Sequence, residues 1–272
     1  MSDFPLRFVV GLSAFCLFVF SVFVSPIGFL AFFTIALVGG LNEFYNLIDK
    51  GGFKPQRITG FALGMSLYVG NGLMTFYHFS EKFLLFPLVC VFLILPLELY
   101  RKREDAFTNI AHGFLGIIYV VVPVTLLINI IYLNDEVGYN PGFFVAFLVL
   151  IFASDSGAYI AGTAFGKHKL FERISPKKSW EGAAGGMLLS ILFAIGFSFA
   201  FDVLNVWQWI GLSVICVVAG IYGDLVESLL KRNVGVKDSG VFFPGHGGVL
   251  DRLDSITLAA PFSFVYLEII LS

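Results

Sequence analysis

Charge is scarce in this sequence: Asp, Glu, Lys and Arg make up 13% of its 272 residues, against about 25% in a water-soluble domain. The formal net charge is only −2, too small to attract nucleic acid or another strongly charged macromolecule. Cysteine is scarce as well. Cys16, Cys90 and Cys216 are odd in number and each lies in an apolar run, which argues against a disulfide framework and predicts thiols packed as small buried hydrophobes. Zinc-ligand spacing, a P-loop, a Ser-His-Asp set and a Gly-x-Ser-x-Gly elbow are all missing. No internal repeat or low-complexity segment is present, so neither a solenoid nor an inverted-repeat transporter is indicated. The first apolar run, from Phe4 to Val24, lacks a small-residue cleavage site and reads as a spanning helix rather than a signal peptide.

What is abundant is apolar surface. Apolar residues make up 58% of the chain, 33 of them phenylalanine, and the mean hydropathy is +0.89. Nine runs are long enough to cross roughly 30 Å of hydrocarbon: about 4–24, 27–48, 58–79, 83–100, 108–133, 141–165, 183–203, 205–230 and 255–271. Turn chemistry separates them, as at Ser25-Pro26, Lys50-Gly51-Gly52 and Asn140-Pro141. The expected fold class is an all-α integral membrane protein with about nine transmembrane helices. Residues 1–107 form the N-terminal spans one to four, and 108–272 the C-terminal catalytic region with spans five to nine.

Orientation follows from the basic residues. Those between even-numbered spans and the next are Lys50, Lys54, Arg57; Arg101, Lys102, Arg103; Lys167, Lys169, Arg173, Lys177, Lys178; and Lys231, Arg232, Lys237, Arg252. Arg7 shares their side and Lys82 alone lies opposite. The positive-inside rule then makes the basic face and the N-terminus cytoplasmic and the C-terminus external.

Carboxylates inside spans are costly and usually face a bundle interior or a wet cavity. Glu98 and Glu268 lie near span ends, where solvated interfacial positions are expected. Glu43, near the cytoplasmic end of the second span, fits either a structural hydrogen bond or a substrate cavity. Asp155 interrupts an otherwise clean span. Asp224, Ser228 and Lys231 are spaced i, i+4, i+7, and Glu227 pairs with Lys231 at i, i+4. Such a stripe predicts a hydrophilic catalytic cavity, with a structural salt-bridge network as the plainer alternative.

The stretch from Ser228 to Asp254 reads SLLKRNVGVKDSGVFFPGHGGVLDRLD. Lys231, Arg232, Lys237, His246 and Arg252 suit an anionic substrate with several phosphates. Asp224, Asp238, Asp251 and Asp254 supply hard oxygen donors, which favour Mg²⁺ over zinc. Gly245, Gly247 and Gly248 are expected to leave backbone N–H groups exposed to a ligand before the last helix. A helix beginning near Gly248 would put Asp251 and Asp254 on one face of its first turn.

This segment resembles the signature of the CDP-diacylglycerol synthase (phosphatidate cytidylyltransferase) family: Ser228, Lys231, Arg232, Lys237, Asp238, His246, Gly247, Gly248, Asp251, Arg252 and Asp254 all match it. The resemblance extends to Asp155-Ser156-Gly157-Ala158-Tyr159, Phe165-Gly166-Lys167 and the run from Ser175 to Gly182. Thr163 and Ser179 depart from it, standing where the family usually carries Arg and Thr. The second keeps the hydroxyl; the first removes a phosphate contact.

The resemblance implies transfer of a cytidylyl group from CTP to phosphatidate, giving CDP-diacylglycerol and pyrophosphate, in a helical and often homodimeric protein of the bacterial inner membrane. It implies a divalent metal, Mg²⁺, with room for a second metal or a monovalent cation. Asp224, Lys231, Asp251 and Asp254 are the catalytic candidates. Asp224 and Asp251 lead the metal ligands, meeting at the cytoplasmic ends of spans eight and nine, with Asp254 and then Asp155 after them. Ser228, Arg232, Lys237, His246, Arg252, Lys167, Lys177 and Lys178 are the substrate-binding candidates, although the last three also serve as a plain topology signal. Gly182 and Gly186 are expected to pack helices closely. The rival readings are another CTP-dependent lipid-phosphate enzyme and a polytopic transporter.

Overall fold

The computed structural model describes residues 4–240, 242 and 247–271, with side chains from residue 13 onward except residue 14. Its helices are α1 (Phe4–Val24), α2 (Pro26–Lys50), α3 (Arg57–Tyr77), α4 (Leu85–Arg101), α5 (Ala106–Gly116), α6 (Val122–Ile131), α7 (Pro141–Phe165), α8 (Trp180–Ala200), α9 (Val206–Asn233), α10 (Leu250–Leu253) and α11 (Ile256–Leu271). A 3-10 turn, Glu81–Leu84, leads into α4, and a π-helical turn, Ile117–Val121, joins α5 to α6. Among the described residues seven helical stretches are long and apolar enough to cross a membrane. The protein is therefore a helical integral membrane protein. Large apolar side chains such as Phe92, Ile160, Phe199 and Ile269 are exposed on these helices, as expected when lipid rather than water surrounds them.

The helix starts are written locally. Ser25, Asn140 and Ser179 accept the backbone N–H of Gly28, Phe143 and Gly182 at 3.0, 2.9 and 3.1 Å, and Pro26 and Pro141 stand at first helical positions where a missing N–H costs nothing. Ser179 therefore uses the hydroxyl it shares with threonine as a cap. It also starts α8 at Trp180, three residues ahead of the span marked by hydropathy.

Two packing units interleave in sequence. One comprises Met1–Ile128 with Asn233–Leu253, the other Asn129–Arg232 with Asp254–Ser272. In the first, Phe29, Phe33, Leu37, Leu41 and Phe44 of α2 are buried, and Tyr45 donates to the Gly113 carbonyl at 3.1 Å. In the second, Trp209 is fully buried, with the Phe143 ring centroid 5.1 Å away. There α7 and α8 approach through small residues: an added Cβ at Gly186 would lie 2.6 Å from the Ser154 carbonyl oxygen, and one at Gly182 2.9 Å from that of Ala158. Gly182 and Gly186 thus do serve close helix packing. A Gly186→Leu change is expected to lower the melting temperature in detergent by several degrees. The control Gly196→Ala, where an added Cβ meets nothing within 4 Å, should leave it within about a degree.

The all-α class holds, with one addition: β1 (Lys169–Phe171) and β2 (Ser175–Ser179) form a short antiparallel hairpin. Pro176, which lacks a backbone N–H and would break a helix interior, suits a strand in this polar connection better than a helix. Three expectations change. Glu98 is buried, not solvated: Arg101 Nη1 reaches its Oε2 at 2.9 Å and Gln56 Nε2 also donates to it, so local partners replace water. Cys16 is exposed, while Cys90 and Cys216 are buried; all three are free thiols. Finally, the last span is not one helix from Gly248. It breaks between α10 and α11, so Asp251 and Asp254 do not share a helical face. Gly223 of α9 leaves room for the Asp254 carbonyl oxygen at this break, where any Cβ would collide with it.

Candidate active site

Helix α9 carries the central polar stripe, and the structure realises its spacing. Ser228 Oγ donates to Asp224 Oδ1 at 3.2 Å, and Lys231 Nζ to Glu227 Oε2 at 2.7 Å. Glu227 is wholly buried and Lys231 nearly so, at 0% and 12% side-chain exposure. Lys231 and Arg232 fall in the last turn of α9 rather than in a loop, where positive charge suits the helix C-terminus.

The hairpin supplies the second element. Successive side chains of a strand point to opposite faces, so of the two adjacent lysines only one turns inward. Lys178 is half-buried and Lys177 exposed. Lys178 Nζ lies 2.6 Å from Asp224 Oδ2 and also donates to the Ile221 carbonyl at 3.4 Å. Asp155, on α7, is within electrostatic range of both Lys178 and Asp224, and Asp254 is within range of Asp224, Asp155 and Lys231. One unit therefore carries Asp155, Asp224, Glu227 and Asp254 with Lys178 and Lys231, from α7, β2, α9 and the turn before α11.

Other candidates are placed differently. Lys167 is exposed, and its backbone N–H, like that of His168, donates to Glu181 at 3.2 Å. His168 Nδ1 also meets Glu181 Oε1 at 2.6 Å. Thr163 turns its hydroxyl back onto the Tyr159 carbonyl at 2.8 Å. Lys237, Asp238 and Arg252 are exposed. His246 lies outside the described residues.

In the other unit Ser239 and residues 248–250 close on two carboxylates. Asp251 Oδ2 accepts the backbone N–H of Ser239 at 3.1 Å and of Gly248 at 2.9 Å. Glu43 Oε1 accepts from Val249 N at 3.0 Å, and its Oε2 from Leu250 N and Ser239 Oγ, both at 2.9 Å. Of the glycine N–H groups expected to await a ligand, that of Gly248 is thus already held by Asp251, as the next two are by Glu43, and Gly245 lies outside the described residues. Sequence reasoning named Glu43 without a partner, because those partners stand roughly 200 positions away in the chain and no local spacing points to them.

The donor chemistry fits Mg²⁺. Its candidates are all carboxylate oxygens, and Mg²⁺ is usually held by one or two carboxylates completed by substrate phosphates and water rather than by an all-protein cage. Among the described residues no three His, Cys, Asp or Glu side chains are grouped so as to hold a metal ion by themselves. Asp224 and its neighbours would provide the protein's share of such a shell.

Fold and charge together define a class, the helical membrane proteins that pair carboxylates of a spanning helix with lysines. The comparison with known proteins narrows this class. The cytidylyltransferase family model matches residues 5–270, and the chain belongs to that family. It is 50% identical over 124 residues to a phosphatidate cytidylyltransferase of Haemophilus influenzae, covering 43% of each chain. To those of Staphylococcus epidermidis and Staphylococcus aureus it is 35% and 34% identical over 171 residues, covering 62% of this chain and 64% of theirs. The aligned part is thus less than two thirds of the length of each of these relatives.

Proposed function

We propose that this protein is a phosphatidate cytidylyltransferase, converting CTP and phosphatidate to CDP-diacylglycerol and pyrophosphate in phospholipid biosynthesis. A phosphate oxygen of phosphatidate attacks the α-phosphorus of CTP. The new P–O bond forms as the bond to the β-phosphate breaks, and pyrophosphate leaves with that electron pair. Such a step needs positioning and neutralisation of charge more than a protein nucleophile. The observation that carries this reading is the Lys178–Asp224 pair within the Asp155, Asp224 and Asp254 group, in a chain of the cytidylyltransferase family.

In this reading Asp224, Asp254 and Asp155 provide carboxylate oxygens toward Mg²⁺, and Asp251 is a further acidic candidate from the signature. The ion, when bound, supplies positive charge against the phosphates. Lys231, Lys178, Lys177, Lys167, Arg232, Lys237, Arg252 and His246 bind phosphate oxygens, and Ser228 orients Asp224. Nine spans, a cytoplasmic N-terminus and active site, an external C-terminus and a homodimer in a bacterial inner membrane complete the proposal. The Lys and Arg distribution supports that orientation, and it suits a nucleotide arriving from water and a lipid arriving in the leaflet.

The test offers purified protein in phosphatidate-containing micelles, with Mg²⁺, each nucleoside triphosphate in turn. Pyrophosphate release is expected with CTP, with dCTP at most as a second substrate. Release with ATP or GTP at a rate equal to CTP, or none with CTP, would sink the proposal.

A further inference from the structure

We infer that Glu43 is a positioning residue for substrate binding: its carboxylate anchors Ser239, Val249 and Leu250, and so sets the placement of Lys237 and Arg252, which flank them in the chain. The inference rests on the cytidylyltransferase reading for its effect on CTP, but not for the anchoring itself.

Three independent features of the chain converge on this one carboxylate. The first is donor geometry. Glu43 is 6% exposed, and burying a charged carboxylate is costly unless it is hydrogen-bonded. Its three contacts, from Val249 N, Leu250 N and Ser239 Oγ, are all 2.9–3.0 Å long. Bonds of this kind to an ionised acceptor are among the stronger ones in proteins. The second is clearance. A Cβ at either Gly240 or Gly248 would collide with the Glu43 carboxylate, so both ends of the loop are stripped of side chain where they close on it. The third is the face of α2 that presents it. Gly39, Gly40 and Glu43 lie on one helical face, and a Cβ at Gly39 would sit 2.8 Å from Val249 Cγ2, so α2 and the start of α10 approach through glycine.

Asp251 acts on the same loop, joining Ser239 N to Gly248 N. The backbone at 239 and at 248–250 is thereby held at both ends, next to Lys237 on one side and Arg252 on the other. A side chain that met substrate directly would have no need of this arrangement. Glu43 spends its oxygens on the loop and acts through it.

Glutamine is the informative replacement, because its amide keeps the shape but turns an NH₂ toward a donor. Hydrogen exchange of the intact protein in micelles, without substrate, reads the anchoring. In Glu43→Gln the peptides covering Val249 and Leu250 are expected to exchange about 10- to 100-fold faster, as one or two charge-assisted bonds are lost, while those of α7 and α8 are unchanged. Ser239→Ala, which removes a single bond, should give a several-fold increase and serves if Glu43→Gln does not fold. With CTP, Glu43→Gln is expected to raise KM about tenfold, with the melting temperature lowered by a few degrees as buried bonds are lost.

Unchanged exchange at 249–250 in these variants would overturn the inference. So would a fall in kcat with a lowered melting temperature and an unaltered KM, since that is the mark of a merely destabilised protein. Faster exchange in a protein whose wild type shows no CTP-dependent reaction would instead refute the assigned reaction and leave the anchor standing.

Discussion

An Asp224→Asn variant is expected to lose about 10²- to 10³-fold in turnover with CTP and phosphatidate, the scale seen when one preorganised electrostatic contact is removed from an active site. Asparagine keeps the shape of the side chain and can still accept from Ser228. What it removes is the charge that faces Lys178 at 2.6 Å and neighbours Asp155 and Asp254. Asp224 and Lys178 keep 31% and 25% of their side chains exposed, so water screens the pair and its loss should cost stability only about 1 kcal/mol or less. The signature of the variant is therefore a nearly unchanged melting temperature with a collapsed rate and a raised Mg²⁺ requirement. Wild-type turnover in Asp224→Asn would remove Asp224 from the site.

The second large effect concerns Lys231, and it has the opposite balance of stability and chemistry. Glu227 is fully buried against Lys231. Lys231→Met leaves that carboxylate without its cation, a change that costs about 3–5 kcal/mol in buried pairs. Melting in detergent should drop sharply and activity with it. Removing both charges in Lys231→Met with Glu227→Leu is expected to restore most of the stability, since a buried pair replaced by apolar groups is often neutral. It should not restore turnover if Lys231 also neutralises phosphate charge. Recovery of both would make the pair structural only, the plainer reading of the α9 stripe.

These two predictions use relations that differ in how far they can be read from sequence. The α9 stripe is local: residues four apart on a helix are neighbours, so Asp224 with Ser228 and Glu227 with Lys231 follow from spacing once the span is recognised. The α7–α8 contact is similar, because glycines four apart on a lipid-facing helix have few other uses.

Whatever depends on distant partners was not legible. Asp224 meets Lys178 rather than Lys177 because of strand register in a short hairpin inside a polar connection, where hydropathy carries no signal. Glu98 looked interfacial by position, yet Gln56, from another segment, lies over it. At the break before α11 the Asp254 carbonyl packs against Gly223 of α9, a contact between segments 31 positions apart. Glu43 stood out as a charge in an apolar span, but its donors lie in residues 239–250. In each case the missing information was a tertiary contact that overrides the local pattern.

The fate of isotopic label tests the central claim most directly. Protein in phosphatidate micelles with Mg²⁺ is given CTP labelled either at the α- or at the γ-phosphate, and the lipid is extracted. The account predicts that the α-label enters the lipid in a one-to-one ratio with released pyrophosphate, which carries the γ-label. Transfer of the γ-label to lipid, with CDP as the product, would contradict it and make the protein a CTP-dependent lipid kinase.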